Sequence, residues 1–356
     1  MFRRVVPLWP SALVCALVAT TAAVVIWPVA LAPAPAAGAR QTIAPKVLVV
    51  TMFDGERAPW VEHWEGAYRD VPVPGLSANY PEVRCEADAD LCVMTTDMGY
   101  ANSASSLTAL TSSDRFDLSD TYVLVAGIAG VNPEEGTLGS AHWARYVVDN
   151  GLRHEIDRRE IPEDWDTNVV PLGAGEPWAS PAWGAGTETY RLAEKMLQAV
   201  HRISKDVPLV DSPDAASYRS KYVEPTARRT PFVSVCDTLS GDTYWHGREL
   251  GELAEKWVGF RTEGRGTYCT SQMEDNGTLT ALTRAAAAGR VDLERVAVLR
   301  TSSNFDRQPA GMAAAESLSA DSGGYLPATQ NAYRVANAVV ETITGDWKHW
   351  RGGVPR

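Results

Sequence analysis

Lys46-Val47-Leu48-Val49-Val50-Thr51-Met52-Phe53 is the stretch on which the fold turns. It is almost continuously apolar and rich in β-branched residues, without polar alternation, as a strand covered on both faces must be. Such a strand belongs at the centre of a layered domain. Similar runs recur at Leu91 to Thr95, Thr121 to Ala126, Pro231 to Val235 and Val296 to Leu299, with segments of helical spacing between them. His142 to Val148 alternates as a strand does, and Thr187 to Ser204 puts Leu192, Met196, Ala199, Val200 and Ile203 on one helical face. Two more helices are predicted over Leu279 to Ala288 and Ala328 to Ile343. Alternating units of this kind imply an α/β layered fold. No repeat and no Pro/Gly/Ser linker splits the chain after residue 40, so residues 40–356 read as one domain. Ile161 to Gly186, dense in proline and tryptophan, reads as a structured excursion that could lid a site.

The surrounding composition narrows the class. Of 356 residues, 45% are hydrophobic and 22% charged, which excludes collagen, coiled coil, disordered tail and polytopic membrane protein. Net charge is -11, and without residues 1–39, whose only charges are Arg3 and Arg4, it becomes -13, which argues against a nucleic-acid partner. Arg3 and Arg4 precede an uncharged run from Ser11 to Ala32 and an Ala37-Gly38-Ala39 exit. That order reads as an export signal cleaved after Ala39, with an uncleaved anchor over residues 11–32 as the alternative. One span encloses no solute pathway, so the chain is not by itself a carrier. The destination is periplasmic or extracellular.

Export lets thiols pair. Cys85 and Cys92 flank a short acidic turn and are predicted to form a disulfide, whereas Cys236 and Cys269, in apolar β-prone stretches, read as separate buried thiols. No C-x-x-C or H-E-x-x-H spacing supports a metal.

Common catalytic signatures are missing: there is no G-x-S-x-G, no G-x-x-x-x-G-K-[ST] and no G-x-G-x-x-G after a strand. In their place stand short motifs after strands. They are Met52 to Arg57, Thr96 to Ala104, Ala126-Gly127-Ile128-Ala129-Gly130-Val131-Asn132-Pro133, Ser240 to Trp245, Ser271-Gln272-Met273-Glu274-Asp275-Asn276, and Leu299 to Asn304. Their order resembles the nucleoside phosphorylase and nucleosidase superfamily, and Gly127 to Pro133 looks most like its purine nucleoside permease branch. The resemblance spans roughly residues 46 to 345. It implies a three-layer phosphorylase/hydrolase-like fold, with a central mixed, largely parallel β-sheet flanked by helices.

The resemblance also assigns roles. Ile128, Ala129 and Gly130 would line sugar and base, Met273 and Glu274 would hold the ribose, and Ser303 and Asn304 would reach the purine. A carboxylate suits vicinal hydroxyls because it accepts directional, charge-assisted hydrogen bonds; the competing reading of Glu274 is an acid placed at a helix N-terminus. Tyr244 and Trp245 could stack a base or belong to the core. Asn304 stands where many relatives carry Asp; its amide pattern points to 6-oxopurine nucleosides such as inosine. Asp54 and Glu56, at the mouth of the sheet, are alternative general bases for an attacking water.

Relatives commonly carry Ser where Ile128 stands, and no arginine clamp for phosphate is evident unless Arg57 supplies it. The expectation is therefore an exported protein that binds purine nucleosides and cleaves the N-glycosidic bond without a cofactor, with water or phosphate as acceptor. The alternative is a non-catalytic receptor handing nucleoside to a separate membrane transporter. A homo-oligomer is compatible with either.

Overall fold

Val47–Thr51 forms β1, and every residue in it is buried. Its side chains alternate between two cores. Val47 and Val49 pack with Leu124, Met196, Val200 and Val339, while Leu48 and Val50 pack with Met94, Leu107, Leu110 and Leu282. A strand with helices on both faces has no polar side, which explains the unbroken apolar run. Burying each such side chain contributes roughly 1.5–3 kcal/mol.

The structure is a computed structural model that describes residues 42–64 and 66–355. The signal or anchor read over residues 1–39 lies outside the described residues. After β1 come the strands β2 (Tyr68–Pro72), β3 (Glu82–Glu86), β4 (Leu91–Thr95), β5 (Tyr122–Val131), β6 (Ala141–Trp143) and β7 (Tyr146–Asp149). They continue as β8 (Arg153–Glu155), β9 (Val169–Pro171), β10 (Thr189–Arg191), β11 (Val233–Val235), β12 (Asp237–Ser240), β13 (Tyr268–Gln272) and β14 (Val296–Phe305). The helices are α1 (Asp54–Glu62), α2 (Tyr100–Ser112), α3 (Glu194–Ser204), α4 (Pro213–Arg219), α5 (Arg248–Arg261), α6 (Asp275–Ala287), α7 (Ala314–Ser319), α8 (Tyr325–Gly345) and α9 (Trp347–Trp350). Among the described residues no helix is long and apolar enough to cross a membrane.

The main sheet runs β10-β7-β12-β13-β5-β1-β4-β3-β2, with β14 added to β5 and β6, and β11 to β6. β1 pairs in parallel with β4 and β5, and β14 in parallel with β5, whereas the β2–β3–β4 edge is antiparallel. This is the α/β, mixed and largely parallel sheet with flanking helices that the sequence implied.

β5 is the hub. It pairs in parallel with β14 from Val123 to Val131, with β1 only from Tyr122 to Val125, and at its far end antiparallel with β13 at Gly130 and Val131. The sheet therefore divides at residues 127–131, leaving a cleft at the carboxyl end of the parallel strands. β14 carries a register shift between Ser302 and Asn304, so Ser303 is an extra residue that re-aims its neighbours.

Three expectations are corrected. His142 to Val148 is two strands, because Arg145 and Tyr146 N–H donate to the Asp237 carboxylate at 3.0 and 2.7 Å instead of to a ladder. The helix expected from Thr187 starts at Glu194; Thr189–Arg191 instead pairs antiparallel with β7. Cys236 and Cys269 are not separate thiols but lie at disulfide distance, with Cα atoms 5.6 Å apart, since parallel pairing of β12 with β13 juxtaposes them. Cys85 and Cys92, facing each other across β3 and β4, form the other pair.

Candidate active site

A cavity of about 210 Å³ lies at the far ends of β5, β13 and β14. Of the residues singled out from sequence, Glu56, Ile128, Ala129, Gly130, Tyr244, Trp245, Met273, Glu274, Ser303 and Asn304 all line it. Asp54 does not. It begins α1 with its side chain 82% exposed, 3.8 Å from Arg57, so of the two carboxylates Glu56 is the one that reaches the cavity. Arg57 likewise lies outside the lining, as does His246.

Glu56 is buried two residues into α1, held by the Met52 and Ile128 N–H groups, each donating to one carboxylate oxygen at 2.7 Å. Burial pushes its pKa from 4.5 up to about 8; Arg300 opposes the rise and Glu274 adds to it. A carboxyl poised there exchanges protons near neutrality. The strand must pass very close here: a Cβ on Gly127 would sit 2.7 Å from Glu56 Oε1, 2.7 Å from Arg300 Nη1 and 2.2 Å from Met52 Cε.

Glu274 precedes α6, so the helix-terminal placement anticipated as a bland alternative is real, yet the side chain also forms the cavity wall. Oε1 accepts from Gly99 N–H at 3.2 Å, and Oε2 accepts from Met273 N–H at 3.3 Å and Arg300 Nη2 at 3.1 Å. Gly99 reaches it with φ of 90°, a conformation that suits glycine. Acceptor capacity remains on Oε1 for a hydroxyl. Burial raises the Glu274 pKa, with Arg300 pulling the other way.

At the other side, Asn304 accepts from Ser303 Oγ at 2.9 Å and donates to the Phe305 carbonyl at 3.0 Å. A second amide hydrogen and a second Oδ1 lone pair stay uncommitted to these bonds. Gly130 allows the amide to lie close, since a Cβ there would come within 3.2 Å of its Nδ2. Tyr244 stands at the rim, 59% exposed, while Trp245 is half-buried with its ring 6.3 Å from Tyr268. Met98 and Phe53 complete the apolar side.

Sequence reasoning missed Arg300 and Asp275. Arg300 is 1% exposed within β14 and meets Asp275 through both Nε (3.1 Å) and Nη2 (2.5 Å). The available signal was an arginine inside the apolar run Val296 to Leu299 and beyond, because a buried guanidinium requires carboxylate partners.

A larger cavity of about 870 Å³ lies across the Gly241–Trp245 loop. Two of its three acids are occupied by main-chain donors: Asp149 accepts from the Gly151 and Leu152 N–H groups, and Asp242 from the Tyr100 N–H. Residues 161–186 line neither cavity; they pack on α5, with Trp178 against Phe260 and Asp166 bonded to Lys256, so they do not lid the site. Asn276, within an Asn-Gly-Thr sequon, is buried and donates to the Thr187 carbonyl, which closes it to a glycan.

The fold is like that of solved nucleoside hydrolases and nucleosidases. The futalosine hydrolase of Helicobacter pylori superposes with a TM-score of 0.51 at 13% identity, covering 84% of this chain and 98% of that one. The 5'-methylthioadenosine/S-adenosylhomocysteine nucleosidase of S. pneumoniae gives 0.52 at 13% identity, covering 83% and 99%. At such identities the likeness concerns the fold. The family model described as purine nucleoside permease matches residues 44–355, and the chain belongs to that family. A probable purine nucleoside permease of Schizosaccharomyces pombe is 38% identical over 327 residues, covering 88% of this chain and 93% of the relative. The purine nucleoside permease of Candida albicans is 33% identical over 308 residues, covering 85% and 76%.

Proposed function

We propose that the protein binds purine nucleosides in the 210 Å³ cavity and cleaves their N-glycosidic bond. The observation that carries this reading is the convergence of Glu56, Arg300 and Glu274 at one side of the cavity with Asn304 at the other. Glu274 takes a ribose hydroxyl, and Met273 packs under the sugar. As the C1′–N9 bond breaks, its electron pair passes to the purine and positive character builds on the sugar. Asn304 donates to the purine ring, stabilising that charge without itself giving up a proton. Ionised Glu56 takes the proton of the acceptor as it bonds to C1′. An amide in this position matches 6-oxopurines.

The permease names of the curated relatives favour a second reading, a receptor that binds nucleoside and hands it to a separate membrane transporter. The two disulfide-distance pairs are compatible with an exported site of action for either. Incubation of purified protein with inosine, with and without phosphate, separates the readings. Hypoxanthine with free ribose identifies a hydrolase, and hypoxanthine with ribose 1-phosphate a phosphorylase. Tight binding without product identifies a receptor.

A further inference from the structure

Among the described residues, Arg300 is the only cation lining the cavity. A guanidinium normally grips an oxyanion through two parallel N–H donors. Here Nε and one Nη2 hydrogen go to the two oxygens of Asp275, the other Nη2 hydrogen goes to Glu274, and one Nη1 hydrogen goes to the Ile128 carbonyl. A single Nη1 hydrogen is left. Both parallel faces of the fork are taken, and the strongest grip, that of Asp275, comes from a residue with no solvent exposure.

The nearby main chain offers no substitute. The Ile128 N–H, which points into the same corner, already donates to Glu56 at 2.7 Å, and the Ile128 side chain brings no hydroxyl. The charge balance points the same way: one guanidinium faces Asp275 and Glu274, so a multiply charged anion would enter a field that is already negative even with Glu56 protonated. A neutral water meets none of these obstacles, since one donor and one acceptor suffice to hold it.

Resting on the cleavage reading above, we propose that Asp275 is a positioning residue that restricts the acceptor to water, by occupying the guanidinium fork that inorganic phosphate would need. In the resulting step a water oxygen bonds to C1′ as the C1′–N9 bond breaks; its proton goes to Glu56 and the bonding pair leaves with the purine. Phosphate, given access, would bond to C1′ through one of its oxygens and yield ribose 1-phosphate.

The test compares wild type, Asp275→Asn and Asp275→Glu in tens of millimolar phosphate against chloride at equal ionic strength. It follows melting temperature and the sugar product formed from inosine. Wild type and Asp275→Glu show no phosphate-specific stabilisation and give only free ribose. Asp275→Asn, which releases part of the fork, binds phosphate at least about tenfold more tightly, melts higher in phosphate than in chloride, and diverts product to ribose 1-phosphate. Lost packing alone would produce no response specific to phosphate. Ribose 1-phosphate from wild type, or saturable phosphate stabilisation of wild type, overturns the proposal even if the Asn variant does not fold. So does a folded Asp275→Asn indifferent to phosphate. Absence of hypoxanthine under every condition instead defeats the cleavage reading, and the melting comparison, which needs no turnover, still judges the role of Asp275.

Discussion

On the proposed reading Asn304 takes the base and Glu274 the sugar, and each role can be tested alone. Asn304→Asp replaces a fixed amide with a carboxyl that offers a different donor and acceptor pattern, so the preference for inosine over adenosine should fall, by about tenfold for one mismatched hydrogen bond. The ratio of the two affinities, or of kcat/KM, measures it; an unchanged ratio in a folded variant makes Asn304 a structural residue. Glu274→Gln removes the charge behind the ribose contact and should weaken inosine by about 1.5–3 kcal/mol while leaving free hypoxanthine nearly untouched. Calorimetry with both ligands decides, and equal losses would place Glu274 outside the ribose site. The short motifs after strands made most lining residues legible. Arg300 and Asp275 stayed hidden because their pairing joins β14 to the start of α6, 25 residues apart in sequence, and no local pattern records such a contact.

At the scale of elements, the site exists because β1 stops pairing with β5 at Val125, while β14 stays beside β5 to Val131 and β13 joins it at Gly130. Gly127 lies beside both Glu56 of α1 and Arg300 of β14, and a Cβ there would crowd each. Gly127→Ala should cost about 1–3 kcal/mol in urea denaturation through overpacking, and should weaken inosine binding as Glu56 and Arg300 are pushed apart. Unaltered binding would mean that the tight passage does not set the geometry of the site. The continuous apolar strands were legible, β4 to the residue. The bulge at Ser303 was not, since it reflects how β14 registers against β5 rather than any property of Leu299 to Asn304 alone. For the same reason His142 to Val148 looked like one strand: the Asp237 carboxylate that breaks it arrives from a distant part of the chain.

For the molecule as a whole, Glu56 links function to stability. Its folded pKa, raised to about 8 from 4.5, means that the native state holds a proton the unfolded chain has already lost. The stabilisation is complete below pH 4.5 and disappears as pH rises through about 8, an effect on the order of 5 kcal/mol. Glu56→Gln, which never ionises, should therefore gain stability relative to wild type as pH increases from 5 to about 9 in urea titrations; parallel curves would place the Glu56 pKa near its ordinary value. The α/β class and layered sheet followed from composition and strand pattern, and the Cys85–Cys92 pair from a short intervening turn. The Cys236–Cys269 pair did not, because its 33-residue separation closes only when β12 and β13 align. The most direct test of the account is the pH profile of hypoxanthine release from inosine by wild type and Glu56→Gln. The account predicts a wild-type rate that climbs toward a plateau with a midpoint near pH 8, and a variant slower by about 10²–10⁴-fold that still binds inosine. Equal rates for the two proteins, or inosine bound tightly at every pH with no hypoxanthine released, would contradict it.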